Sequence, residues 1–112
     1  MTPEKKVKDR VVKELKKYGV YYFFPATGGY GRSGVPDIIC CWYGRFIAIE
    51  CKAGAGQSTV LQKREQEKIR AAGGLVYEVR ESNMEEFIES MKHLNSLFTD
   101  DLWDAEDGLD ND

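Results

Sequence analysis

The spacing of apolar positions changes several times along the chain, and each change marks an element. Val7, Val11, Leu15 and Tyr18 recur at three or four residues on one stripe, with Lys and Arg on most of the rest, which predicts a helix over residues 3–18. Thr2 suits its N-cap and Pro3 its first helical position. Gly19 ends the helix, and the β-branched and aromatic residues 20–24 predict a strand. A glycine-rich loop over residues 25–34 leads into V-P-D-I-I-C-C-W-Y-G-R-F-I-A-I-E-C-K-A, residues 35–53, which reads as two apolar strands joined by a turn at Tyr43-Gly44. Gly54-Ala-Gly56 is then a loop, and Ser58 or Thr59 caps a basic helix running to about Ala72 and stopped by Gly73-Gly74. Residues 75–79 predict another strand. Ser82-Asn-Met-Glu85, a capping-box pattern, opens a last helix whose apolar face is Phe87, Ile88, Met91, Leu94 and Leu97.

The hairpin organises the rest. Counting outward from Tyr43-Gly44 pairs Trp42 with Arg45, Cys40 with Ile47 and Asp37 with Glu50. Lys52, two residues beyond Glu50, shares the face of both carboxylates. A two- or four-residue loop keeps this register; a three-residue loop would move Asp37 off the face of Glu50. Directly opposed like charges are destabilising. One reading makes Asp37 the start of a strand after Pro36 and Glu50 with Lys52 a surface pair. The other makes the carboxylates ligands of a divalent cation, since Mg²⁺ favours a few carboxylates plus water.

Two further positions qualify this picture. Glu4 extends the apolar stripe of the first helix, so it aims a carboxylate towards the sheet, although an acid in a first turn also suits the helix dipole. Gln62 sits three residues after Thr59 and fits half of a capping box. Gly29, Gly31 and Gly34 spell G-x-G-x-x-G, but a strand follows where a dinucleotide fingerprint needs a helix, so that reading is rejected. The loop is either a flexible connector or a backbone-rich approach to phosphates with Thr27, Tyr30, Arg32 and Ser33 as contacts. Its position before Asp37 favours the second.

The length of 112 residues suits one domain, and 42% hydrophobic with 31% charged residues is an ordinary globular composition. No apolar run approaches a membrane span and the first residues lack a secretory pattern, so the expected location is the cytoplasm. Cys40, Cys41 and Cys51, with a single histidine at His93, give neither a zinc pattern nor a disulfide framework and read as buried thiols. The net charge of −3 conceals a division. Residues 1–80 hold 15 Lys/Arg against 8 Asp/Glu, a net of +7, and residues 81–112 hold 1 against 11, a net of −10. A basic body suits a polyanion. Residues 99–112 have the composition of a disordered acidic tail, which leaves residues 1–98 as the domain.

A P-D followed after a turn by E-x-K, with an acidic helix before it, resembles the PD-(D/E)xK nuclease superfamily, and most closely its VRR-NUC domains of the short stand-alone phage and bacterial type. The residues carrying the resemblance are Glu4, Gly34-Val35-Pro36-Asp37, Ile49-Glu50-Cys51-Lys52, Thr59-Val60-Leu61-Gln62 and Ala72-Gly73-Gly74. The resemblance implies an α/β restriction-endonuclease-like core, a mixed sheet flanked by helices in the order α-β-β-β-α-β plus a C-terminal helix. It implies Asp37, Glu50 and the Cys51 backbone carbonyl as metal ligands, with Glu4 helping to hold the metal or its waters. It implies Lys52 as the residue that orients or activates the attacking water, and Gln62 as the glutamine beside the active site. Lys63 and Arg64, next to Gln62 on the basic helix, join the loop residues as candidate DNA contacts.

The function expected on this basis is a Mg²⁺-dependent DNA endonuclease, with Mn²⁺ able to substitute, selective for branched DNA such as four-way junctions or flaps in repair or recombination. Its expected setting is a homodimer in a bacterial or phage-infected cell, since one active site per small domain needs two copies to cut two strands. The alternatives are a less selective DNase or nickase that depends on a helicase or replication partner, and a non-catalytic DNA-binding module.

Overall fold

A computed structural model describes residues 1–26 and 33–110, with side chains through residue 100. Helix α1 spans Pro3–Lys17 and strand β1 spans Tyr21–Phe23. The hairpin is β2, Ile38–Trp42, with β3, Arg45–Cys51. Helix α2, Val60–Ala71, crosses over to β4, Leu75–Val79, and a 3₁₀ turn over Glu81–Asn83 leads into α3, Met84–Asp110. The four strands form one sheet in the order β1-β2-β3-β4, antiparallel except for the β3-β4 pair, which the α2 crossover makes parallel. The chain is thus an α/β domain with a four-stranded mixed sheet and three helices.

Alternation along the strands divides the sheet into two faces. Ile38, Cys40 and Trp42 of β2, Ile47, Ile49 and Cys51 of β3 and Val79 of β4 are all buried on one face. Val7, Val11 and Leu15 of α1 cover that face together with Phe87, Met91 and Phe98 of α3, in one continuous core. Helix α2 lies on the opposite face, and Gln66 is its one buried residue among those described. Its thin apolar stripe leaves Leu61 about half exposed, and it leaves Phe46 of β3 in the same condition.

The hairpin turn has two residues. Tyr43 and Gly44 both take positive φ, +49° and +80°, the geometry whose twist matches a two-residue hairpin. The strain of a tyrosine there is held by packing from α3, because the Phe98 ring lies 6.2 Å from Tyr43, 5.1 Å from Trp42 and beneath the Arg45 guanidinium at 4.2 Å. The short turn sets the register Trp42↔Arg45, Cys40↔Ile47 and Ile38↔Ile49, so the next step outward places Asp37 opposite Glu50.

Several local expectations need correction. Ser82 does not cap the last helix; it lies inside the 3₁₀ turn, and Asn83 makes the entry by accepting from the Arg80 N–H at 2.8 Å and donating to the Glu78 carbonyl at 2.9 Å. Leu97 is exposed and Phe98 is buried in its place, because the helical face turns by one residue to meet Trp42. Cys41 is exposed, unlike Cys40 and Cys51, because it points to the other side of the pleat. Apart from these corrections, helix α3 runs to Asp110. Among the described residues no helix is long and apolar enough to cross a membrane.

Candidate active site

The candidate residues meet where β3 ends and α2 begins. Glu50 is the penultimate residue of β3 and only 2% exposed, although its side chain is charged at neutral pH in most settings. Opposite it, the partly buried Asp37 accepts a hydrogen bond from the Cys51 backbone N–H at 2.7 Å, which ties the residue before β2 to the end of β3. Burial raises the Glu50 pKa to about 8, with Asp37 adding through a hydrogen bond and its charge; Lys52 lowers the value and Glu4 raises it slightly. Ionised, Glu50 leaves its Oε2 buried and without a hydrogen-bond donor. The pair therefore wants a shared proton or a cation.

Lys52 and Gln62 complete the cluster. Gln62 Oε1 accepts from the Lys52 ammonium at 2.8 Å, and Gln62 Nε2 donates to Glu50 Oε1 at 3.2 Å. The Lys52 ammonium also stands 3.8 Å from Glu50 Oε1. The same glutamine closes the α2 capping box, with Oε1 accepting from the Thr59 N–H at 2.8 Å and its own N–H donating to Thr59 Oγ1 at 3.2 Å. The cap and the contact with Lys52 are one arrangement. Capping fixes the Gln62 rotamer, and the fixed amide holds the Lys52 ammonium 3.8 Å from Glu50, short of a direct hydrogen bond.

The approach to this cluster is equally tight. Gly34 has φ +77°, and a Cβ there would stand 2.5 Å from the Leu61 carbonyl group and 2.8 Å from the Gln62 nitrogen. Only glycine lets the loop pass so close to the first turn of α2. On the far side, the Arg80 guanidinium donates to the carbonyls of Gly54 at 2.9 Å and Gly56 at 2.8 Å and pairs with Glu78 at 3.2 Å. Ser58 donates to Glu78 at 2.9 Å and accepts from Gln66 at 3.1 Å. This network pins the loop that carries Lys52 towards Thr59. Arg80, Glu78, Ser58 and Gln66 were not legible as site supports, because the contacts that tie them to the loop run to backbone carbonyls and side chains 8 to 26 positions away.

The other candidates are distributed around the cluster. Glu4 is exposed on α1 and contributes its field to Glu50 and Cys51. Ser33, Lys63 and Arg64 are exposed, the last two directly after Gln62 on α2. Thr27, Tyr30 and Arg32 lie outside the described residues. The Cys51 and Cys40 thiols are pushed up to about 12, in both cases chiefly by burial, so neither is a nucleophile at neutral pH. His93 is exposed.

Among the described residues no three His, Cys, Asp or Glu side chains converge as a metal cage. Two carboxylates, one with an orphaned buried oxygen, nevertheless fit a cation such as Mg²⁺ that keeps several of its waters. The arrangement can hold a hard cation beside a lysine whose ammonium is positioned by an amide. In comparisons with known proteins, no family model matches the chain, and no curated protein matches it.

Proposed function

We propose that the chain is a divalent-metal-dependent DNA endonuclease with a restriction-endonuclease-like core of the PD-(D/E)xK type, akin to VRR-NUC domains. The observation that supports this reading best is the chain of contacts Asp37, Glu50, Gln62 and Lys52 at one end of the sheet. It sets two opposed carboxylates and one amide-held ammonium on one face. A structural ion pair has no need of a second carboxylate directly opposite the first, and a module that only binds DNA gains nothing from acids where phosphates would lie.

Asp37 and Glu50 would hold Mg²⁺ or Mn²⁺, with the Cys51 carbonyl as a further oxygen, and the ion when bound polarises the phosphodiester and lowers the pKa of water. Glu50 presents one oxygen to the Gln62 amide and leaves the other free for the ion. Lys52 orients the attacking water and offsets charge on the phosphate, and Gln62 stops its ammonium from collapsing onto Glu50. Glu4, exposed on α1 with its charge reaching Glu50, would help hold the waters of that ion. The net of +7 over residues 1–80, with Lys63 and Arg64 exposed beside Gln62, supplies a basic surface for the DNA backbone.

Branched DNA is the proposed substrate and a two-fold dimer the proposed assembly, because a single centre cuts one strand. Tyr21 and Phe23 of β1 point to the side of the sheet away from α1 and α3 and are 69% and 47% exposed, and Tyr21 is in register across the exposed Cys41 with the exposed Phe46, which makes that patch a candidate contact between copies. The apolar face of α3 is not, since Phe87, Met91 and Phe98 are spent in the core. The deciding experiment incubates the protein with matched labelled duplex, flap, fork and four-way junction in Mg²⁺, Mn²⁺ or EDTA, beside Lys52→Ala. Metal-dependent cutting that disappears in the variant supports the reading. Junction binding without cutting in either metal supports the binding module instead.

A further inference from the structure

The first turns of α1 and the residue after β1 enclose a pocket of about 390 Å³, lined by Thr2, Glu4, Lys5, Lys8, Asp9 and Phe24. Phe24 is 49% exposed, and the Lys8 ammonium rests 4.1 Å from the centre of its ring. Lys5 is engaged by Asp9 at 3.2 Å, whereas among the described residues Lys8 has no carboxylate at ion-pair distance. An ammonium on an aromatic face without an acidic partner is held in place but keeps its charge available to an anion.

The pocket lies at the same end of the sheet as the carboxylate centre, on the side covered by α1. Phe23 pairs with Ile39, so Phe24 follows at the end of the sheet where Asp37 precedes β2, but on the α1 side, where its ring packs 5.9 Å from that of Tyr22. The charges of Glu4 and Lys8 both reach the Cys51 thiol, and that of Glu4 reaches Glu50. The pocket and the carboxylates therefore flank the same end of the sheet from its two sides, and Glu4, which lines the pocket, is the residue whose charge also reaches Glu50.

We propose that this pocket takes an unpaired nucleotide of the strand that leaves the carboxylates around the end of the sheet, with its base stacked on Phe24 and its phosphate on the Lys8 ammonium. The inference rests on the nuclease reading and deepens it by naming the feature of the substrate that is recognised. Stacking on an aromatic side chain needs a free face of the base, which a base inside a duplex does not offer and one at a branch, flap or end does. Arrival of the base displaces Lys8 from the ring, and the phosphate that follows is its new partner. Glu4 on the same wall repels the phosphate and so directs it to Lys8. No base edge is read, and the site is indifferent to sequence.

The test is a binding experiment in EDTA, where no cleavage can occur. A single-stranded oligonucleotide carrying 2-aminopurine is compared with the same strand annealed into full duplex. The unaltered protein is expected to quench 2-aminopurine in the single strand. Phe24→Leu should abolish the quench and weaken single-strand binding by about tenfold, leave duplex binding unchanged, and be rescued by Phe24→Trp. Lys8→Gln should reduce the slope of log affinity against log salt by about 0.7, while Lys8→Arg keeps it. Wild-type quench and affinity in Phe24→Leu would overturn the pocket assignment, and cleavage by the unaltered protein would leave the nuclease reading standing. If the unaltered protein neither binds nor cuts any DNA, both fall together.

Discussion

Gln62 Oε1 accepts a hydrogen bond from the Lys52 ammonium at 2.8 Å while also accepting the backbone N–H of Thr59 at 2.8 Å. One oxygen thus belongs both to the helix cap and to the candidate active site. The start of α2 and the reach of Lys52 are set by the same side chain.

The two roles separate by substitution. Thr59→Ala removes the hydroxyl that accepts the Gln62 N–H and should cost about 1 kcal/mol of stability. Gln62→Ala should cost a similar amount and also release Lys52 onto Glu50, lowering cleavage by about tenfold to a hundredfold. Chemical denaturation beside single-turnover cleavage distinguishes them. Equal loss of cleavage in both variants would show that the cap, not the contact with Lys52, carries the effect.

Glu50 makes stability depend on pH. Its folded pKa is raised to about 8 by burial and by Asp37, so between the unfolded value near 4.5 and about 8 the folded chain binds more protons than the unfolded one. Stability then falls as pH rises through that window in the absence of metal, and the loss is complete above about pH 8. Glu50→Gln removes the charge and should flatten the profile, melting several degrees higher than the unaltered chain at pH 8 and close to it at pH 5. Thermal melts in EDTA across this range measure both slopes.

A cation should reverse that loss. If Asp37 and Glu50 ligate Mg²⁺, the ion binds the folded chain and raises its melting temperature in proportion to the logarithm of its concentration. The rise is expected at pH 8 and should shrink towards pH 5, where protons compete for the same oxygens. Asp37→Asn should abolish it. A melting temperature unmoved by millimolar Mg²⁺ at pH 8 would count against these carboxylates as ligands whatever the activity.

The hairpin was legible because a period of two residues and a two-residue turn leave only one register, and that register alone brings Asp37 to Glu50. The thin stripe of α2 was legible from its helical spacing and its stop from Gly73-Gly74, whereas Ser58 and Thr59 fitted the cap equally until the structure selected Thr59. The bond from the Cys51 N–H to Asp37 and the Arg80 clamp were not legible, since both join backbone groups to side chains 14 to 26 residues away and leave no periodic trace. The exchange of Leu97 for Phe98 escaped because several spacings near the end of a helix satisfy the same apolar pattern, and only the position of Trp42 chooses among them. Lys8 escaped for another reason. A lysine one turn from Glu4 looks like any solvated residue of a basic helix until Phe24 is placed beneath it.

Gly34 and Gly19 provide a controlled comparison. Both have positive φ, but a Cβ at Gly19 meets nothing within 4 Å, whereas one at Gly34 strikes the backbone of Leu61 and Gln62. Gly19→Ala should cost about 1 kcal/mol, the left-handed penalty alone. Gly34→Ala should cost more than that and reduce cleavage as well, because the end of the loop moves away from Gln62 and takes Asp37 with it. Denaturation midpoints and cleavage rates of the two variants check this.

Arg80 acts at a distance from any candidate reacting group. Its guanidinium joins the Gly54 and Gly56 carbonyls to Glu78, and Ser58 and Gln66 extend the network to α2, so the segment between Lys52 and Thr59 is held by side chains from β4 and α2. A lysine at this position has one nitrogen in place of a planar fork and cannot span both carbonyls and a carboxylate. Arg80→Lys should therefore keep the charge but loosen the loop, and amide hydrogen exchange should accelerate over residues 53–58 while β2 and β3 stay protected. If Lys52 depends on that loop for its alignment, kcat falls in the variant while KM changes little. Unchanged exchange over residues 53–58 would mean that the loop is held without Arg80.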